Sequence, residues 1–140
     1  KPHEPWQRLT GLATGLNTTS LVIAQATHWT RTSGAEAASA ALDRYPHLSA
    51  IACAGDSLAL GALDALHTRG LIAGRDLAVT GFDGTDDAEE HGLTTIDAHA
   101  REQGTRAAQL LLDPSLQPRR VVLDHHLILR QSSSRLTMPS

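Results

Sequence analysis

The sequence predicts an α/β domain, with a mostly parallel sheet flanked by helices on both faces, and three observations carry that reading. Helix-period and strand-length apolar segments alternate from end to end. The connections between them are a few residues long, which implies right-handed crossovers onto a parallel sheet. The length of 140 residues supplies one such domain and not two.

Taken in order, residues 6–16 read as a helix, with Leu9, Leu12, Ala13 and Leu16 at helical spacing. The apolar run 21–25 has strand length. Ser33-Gly34-Ala35-Glu36 has the capping-box pattern, in which hydroxyl and carboxylate satisfy each other's free amides. The helix it opens is predicted to stop by Tyr45, because Pro46 disfavours helical geometry in the residue before it. Residues 48–54 form the next strand, Asp56 is a good N-cap for a helix over 57–69, and Gly70 sits where a glycine C-cap belongs. Residues 77–82 form a strand, and 84–90 a loop with a short helical turn. A brief strand over 93–96 follows, then a helix capped by Asp97 and running to about Leu112, before Pro114. Two strand-like runs, 121–123 and 127–129, flank Asp124-His125-His126, and the Ser-rich end 131–140 reads as frayed.

Composition narrows the function classes. Hydrophobic residues at 41% and charged residues at 19% are a globular balance. The longest apolar runs, such as Leu110-Leu111-Leu112, are too short to span a bilayer. A formal charge of −3 argues against nucleic-acid binding through a basic face. The single cysteine, Cys53, cannot form an internal disulfide, and no apolar signal region follows the first charge, so a reducing, cytoplasmic location is expected.

In an open parallel sheet, ligands bind outside the carboxyl ends of the strands. Asp56 follows the 48–54 strand and Asp83 follows the 77–82 strand, so both belong to one edge. Asp56 has an ordinary role open to it as a helix cap. Asp83 does not, since Asp86 and Asp87 are better placed to start the next turn; its carboxylate can accept two hydrogen bonds from a diol or an amine, or simply order its loop. Trp29 lies beyond the 21–25 strand and offers a flat apolar face for stacking, or a cover for the core edge. Arg8, early in the first helix, can hold a hydroxyl pair or carboxylate in fork geometry, or be a surface arginine. His125 and His126 are adjacent on or beside a strand and so point to opposite faces, which argues against a shared metal. Asp83-x-x-Asp86-Asp87 has no phosphate-cradling glycine loop or lysine beside it. Leu60 points away from the stripe Leu58, Ala59, Ala62, Leu63 and Leu66, among Asp64 and His67, and is a candidate contact surface.

Arg8-x-x-Gly11, Ala54-Gly55-Asp56-Ser57-Leu58-Ala59-Leu60-Gly61, Val79-Thr80-Gly81-Phe82-Asp83, Leu93-Thr94-Thr95-Ile96 and Arg130-x-Ser132 occur in that order. Together they make residues 6–133 resemble the carboxyl-terminal part of the effector domain of LacI/GalR family bacterial transcription regulators. The resemblance implies a periplasmic-binding-protein-like fold of type I, represented by one lobe, with 98–113 as a crossover helix belonging to a lobe these residues do not contain. Ala100, Ala107, Leu110 and Leu111 would then need another surface. It also implies an effector-sensing and dimerising role without catalysis, cofactor or metal, a homodimer, and operator DNA bound only through a helix-turn-helix outside these residues. The implied mechanism is closure of two lobes over a small molecule, often a sugar or a purine.

Matched position by position, Arg8, Trp29 and Asp83 fall where the family contacts its effector, with Asp56 and Gly55 in the adjoining turn. Leu60, with Asp64 beside it, falls at the dimer interface. Two positions depart from the pattern: Gly55 stands where the family commonly has Asn, and Ala98 where it commonly has Gln. Two side chains that usually hydrogen-bond a sugar are thereby missing. The competing readings are a transporter's solute-binding protein, which needs export, and a metal-dependent enzyme built on the acidic loop at Asp83.

Overall fold

The computed structural model describes residues 4–16, 21–113, 115 and 120–134. The elements are α1 (Glu4–Leu16), α2 (Arg31–Arg44), β1 (Ala50–Ala52), α3 (Asp56–Thr68), β2 (Ala78–Thr80), α4 (Asp86–Glu90), β3 (Thr95–Asp97), α5 (Ala100–Leu112), β4 (His126–Ile128) and a closing 3-10 turn, Gln131–Ser133. β1 pairs parallel with β2, placing Ile51 opposite Val79. Parallel bridges at Thr80–Thr94 and Asp83–Asp97 carry β2 onto β3, and among the described residues only β4 runs antiparallel, with Leu127 opposite Ile96. The alternating α/β order and mostly parallel layer are those the sequence predicts.

The core lies where α3 meets the sheet. Val79, Leu93 and Leu66 are fully buried, each Leu or Val contributing about 1.5–3 kcal/mol by leaving water. α2 packs along α3 through two glycines. A Cβ on Gly34 would collide with the Leu58 backbone, and one on Gly61 with the Arg31 carbonyl, so hydrogen at both positions is what lets the two backbones approach. Gly70, at φ +70°, ends α3 as predicted. Its amide donates to His67 O and the next one, Leu71, to Leu66 O, both at 3.0 Å, which satisfies the last free carbonyls.

The carboxyl-terminal Arg130-x-Ser132 is a structural clasp. The buried Ser132 hydroxyl donates to Val79 O at 2.6 Å and accepts from Thr94 N at 2.8 Å. Arg130 Nη1 donates to Leu93 O at 2.9 Å. Residues 131–134 are thus tied to β2 and β3, not frayed; 135–140 fall outside the described residues.

Several local expectations are corrected. α2 begins one turn before the capping box: Thr30 is the N-cap and accepts from Ser33 N at 3.2 Å, while Ser33 itself is buried. Residues 21–26 hold no strand pairing among the described residues, and Val22 and Ile23 are exposed; an apolar run without a ladder partner has no strand to join. The run 121–123 is likewise not a strand. α5 is capped by His99, a non-glycine residue at φ +53°, with Asp97 Oδ1 accepting from His99 N at 2.7 Å. A left-handed residue of this kind costs on the order of 1 kcal/mol. Among the described residues, no helix is long and apolar enough to cross a membrane.

Candidate ligand-binding site

Because β1 and β2 are parallel, the turns that follow them leave from one edge of the sheet. Cys53 N donates to Thr80 O at 2.8 Å and Asp56 N to Phe82 O at 2.7 Å, which stitches the two turns side by side. Residues 54–56 and 82–84 therefore form one ledge.

Three of the candidate residues meet on it. Gly55 is buried, and a Cβ there would lie 3.1 Å from Asp83 Oδ2 and 3.2 Å from Trp29 Cζ3. Trp29 nevertheless keeps 57% of its surface open, and Asp83 is exposed. A largely exposed indole and an exposed aspartate thus stand beside a residue that has no side chain. Arg8 reaches the same ledge from α1. Its Nη1 donates to Ala54 O at 2.5 Å, and its guanidinium lies 3.7 Å from the centre of the Phe82 ring. The geometry brings Arg8, Trp29, Gly55 and Asp83 together.

The Asp83 backbone is held in a conformation that side chains rarely adopt, at φ +124°. Two ladder bonds fix it there: Asp83 N donates to Ile96 O at 2.9 Å, and Ala98 N to Asp83 O at 3.3 Å. Backbone strain of this kind is concentrated at functional sites.

Asp56 is placed differently. It is completely buried, with Oδ2 accepting from Thr85 N at 2.9 Å and Thr85 Oγ1 at 3.1 Å, and Oδ1 accepting from Thr95 Oγ1 at 2.6 Å. Gly55 occupies the N-cap position, and no side chain caps α3. The helix-cap expectation for Asp56 is corrected: the carboxylate turns inward because three protein donors await it there. Its role is to pin α3, the cap of α4 and β3 to one another beneath Asp83. Asp86 and Asp87 sit in the first turn of α4, which Thr85 caps through Ala88 N.

Leu60 also departs from the sequence reading. Only 3% of it is exposed, and Ala59, Leu60, Gly61 and Ala62 are four consecutive buried residues. α2 covers a side of α3 that a single apolar stripe would leave in water, so Leu60 is core. Asp64 does lie at the surface, held by Arg31 in a two-point pair at 2.6 and 2.7 Å. The Arg31 hydrogen bond holds the Asp64 carboxyl below its usual range. Cys53 sits one residue before the ledge, and burial, then the nearby Asp56 charge, push its thiol up to about 12.

Sequence reasoning missed Phe82 and the Asp56 anchors, Thr85 and Thr95. An aromatic residue at a strand end reads as core, and a threonine's partner thirty residues away leaves no local pattern.

Fold and ledge together define a class: an α/β domain with a candidate ligand site at the carboxyl edge of its sheet. Comparison with known proteins makes this specific. Residues 6–133 match the periplasmic binding protein-like domain. An HTH-type transcriptional regulator of Mycobacterium tuberculosis is 39% identical over 125 residues, 88% of this chain and 34% of that protein. The structure of a LacI family transcriptional regulator from Arthrobacter sp. in complex with lactose aligns with a TM-score of 0.76 at 32% identity, covering 91% of this chain and 50% of that one. A complex of the transcriptional regulator CelR with cellobiose aligns at 0.75 with 31% identity, covering 91% of this chain and 42% of that one. The chain belongs to the periplasmic binding protein-like family, in the form carried by LacI-type transcription regulators. It spans about a third of the length of the curated relative it matches over most of its own residues.

Proposed function

We propose that this chain supplies one wall of the effector site of a LacI-type transcription regulator, and that the effector is a small polyhydroxylated molecule of the sugar class. The observation that carries this is the arrangement around Gly55: a largely exposed indole and an exposed aspartate beside a residue that has no side chain. A sugar ring has one apolar face and equatorial hydroxyl pairs, and those two surfaces suit stacking on Trp29 and donation to Asp83. Arg8 supplies a donor fork at the same ledge. The lactose and cellobiose carried by two structural relatives support the class.

In this reading Arg8, Trp29, Asp83 and Gly55 line the effector site, Asp56 braces it, and α5 belongs to the crossover between lobes. Binding between two lobes shifts their closure, and that equilibrium is what the distant DNA-binding heads of a cytoplasmic dimer respond to. Asp64 lies on the dimer side, and no step in this mechanism makes or breaks a covalent bond. Calorimetry on the full-length regulator with lactose, cellobiose and other sugars tests the proposal. Binding is expected to fall at least about tenfold in Arg8→Ala and Asp83→Ala, the loss of a charged hydrogen bond. Unchanged affinity in both variants would overturn the pocket assignment.

A further inference from the structure

We propose that Asp97, His99 and His126 form a proton-operated latch at the root of α5. The chain leaves the sheet for α5 through β3 and returns through β4, and the two passages are tied where they meet. His99 Nε2 lies 2.7 Å from His126 Nδ1, with the rings edge to face at 4.9 Å between centres. Asp97 Oδ2 lies 3.4 Å from the other nitrogen of His99, Nδ1, while Asp97 Oδ1 holds the His99 backbone amide. Tertiary contacts hold α5 weakly otherwise: none of its residues is buried.

The proton count sets the direction. The Asp97 carboxylate favours a proton on His99 Nδ1, which leaves Nε2 as the acceptor for Nδ1–H of a neutral His126. One added proton, taken at the outward Nε2 of His126, keeps a single hydrogen between the two rings. A second added proton puts a hydrogen on both facing nitrogens, removes the acceptor and sets two positive charges side by side. The latch is therefore closed while the pair holds at most one added proton and opens when acid supplies the second. Among the described residues, the other charged and titratable groups on the elements meeting there are Asp83, bridged to Asp97, Arg101, Glu102 and Arg106 of α5, and Asp124 and His125 leading into β4. Of these, the ring of His125 packs against Phe82, 5.8 Å between centres.

A proton fits between the rings better than a metal. Two imidazole nitrogens on a tetrahedral zinc stand about 3.3 Å apart at bond lengths of ~2.0 Å, and Asp97 faces the nitrogen that points away from His126. The latch also reaches Asp83. That residue bridges to Asp97, and its carbonyl accepts from Ala98 N, one residue before His99. Opening the latch loosens the segment that holds Asp83 in its strained conformation.

The test is nitrogen-15 NMR of histidine-labelled protein, the full chain unaltered. A coupling across the hydrogen bond between His99 Nε2 and His126 Nδ1 is expected at neutral pH and lost once acid has put a proton on both rings. Amide exchange at residues 98–103, corrected for the intrinsic rate, is expected to quicken roughly five- to tenfold over the same span, the worth of one exposed hydrogen bond. In His126→Phe, which keeps a ring but removes its nitrogens, exchange is expected at the faster level throughout. A missing coupling at every pH, or the full pH dependence surviving in His126→Phe, would overturn the proposal. Because the coupling is read on the unaltered chain, a variant that fails to fold leaves it decidable.

Discussion

Trp29 and Asp83 flank the same missing side chain: the Cβ that Gly55 lacks would stand 3.2 Å from Trp29 Cζ3 and 3.1 Å from Asp83 Oδ2. Both distances are tighter than ordinary van der Waals contact, so any side chain at position 55 must push the indole and the carboxylate apart. Gly55 itself is extended, at φ −161° and ψ 159°, a backbone that alanine adopts freely. Gly55→Ala is therefore expected to leave the denaturant midpoint nearly unchanged and to weaken sugar binding, by about 1–3 kcal/mol for one methyl in a shaped site. Calorimetry beside urea unfolding separates the two effects. A methyl that leaves binding intact would show that the gap between Trp29 and Asp83 is not used.

Phe82 carries the guanidinium of Arg8 on its face at 3.7 Å. A cation over an aromatic face gains on the order of 0.5–2 kcal/mol, and here the ring also aims Nη1 at Ala54 O. Phe82→Leu keeps an apolar side chain and removes the π face, so Arg8 is expected to become mobile and sugar affinity to fall up to about tenfold. Phe82→Tyr should restore it. The Arg8 side-chain NMR signals, shifted by the ring current in the parent and not in Phe82→Leu, check the contact without any ligand. Equal affinity in the Leu and Tyr variants would reduce Phe82 to a spacer.

Asp56→Asn is expected to damage the fold and spare the chemistry of recognition. The carboxylate accepts three hydrogen bonds in full burial, and an amide replaces one accepting oxygen with a donor that faces the hydroxyl or amide donors already there. A charged hydrogen bond contributes about 1.5–3 kcal/mol, so losing one or two lowers unfolding stability by a few kcal/mol. Urea unfolding measures this. A variant as stable as the parent would show that the carboxylate is not the brace between α3, α4 and β3.

The contrast between Asp56 and Asp83 also shows how far the sequence alone reaches. The strand ends that precede them assign both aspartates to one sheet edge, and both are there. What the local pattern does not contain is which one turns inward, because that depends on Thr85 and Thr95, brought up by other segments. Leu60 fails for the same reason. A helical wheel sees one helix, whereas α2 covers a second side of α3 through Gly34 and Gly61. Residues 21–26 show the converse, an apolar run whose strand depends on a partner. Gly70 was legible because its cap is made entirely by residues within one turn.

Cys53 gives a pH prediction with a definite sign. Burial raises its thiol from 9.0 to about 12, so between those values the unfolded chain ionises it and the folded chain does not. The folded state then binds more protons than the unfolded one, and stability falls as pH rises through this window, by at most about 1.4 kcal/mol per pH unit from this group. Below about pH 9 both states hold the proton and the contribution is flat. Urea midpoints at about pH 8 and pH 10 are expected to differ more in the parent than in Cys53→Ala, the difference between the two slopes isolating the thiol. The native thiol should also react with disulfide reagents far more slowly than the unfolded chain. An equal slope in both proteins would show that Cys53 gains solvent in the folded state.

Asp83 offers a separation of stability from function. Its φ of +124° is costly for any residue with a Cβ, on the order of 1–3 kcal/mol, and backbone bonds to Ile96 O and Ala98 N hold it there. Asp83→Ala removes the carboxylate and keeps the strain. Asp83→Gly removes both, at an entropic cost of about 0.5–1 kcal/mol for the added freedom of the unfolded chain. Side-chain contacts are lost equally in the two variants, so the comparison isolates the backbone. Asp83→Gly is expected to unfold at higher urea than Asp83→Ala by about 1 kcal/mol, the difference of those two terms, with sugar binding lost in both. Stability lower in the glycine variant would show that the loop relaxes when the carboxylate is removed, so that the carboxylate itself, and not the sheet edge, imposes the conformation.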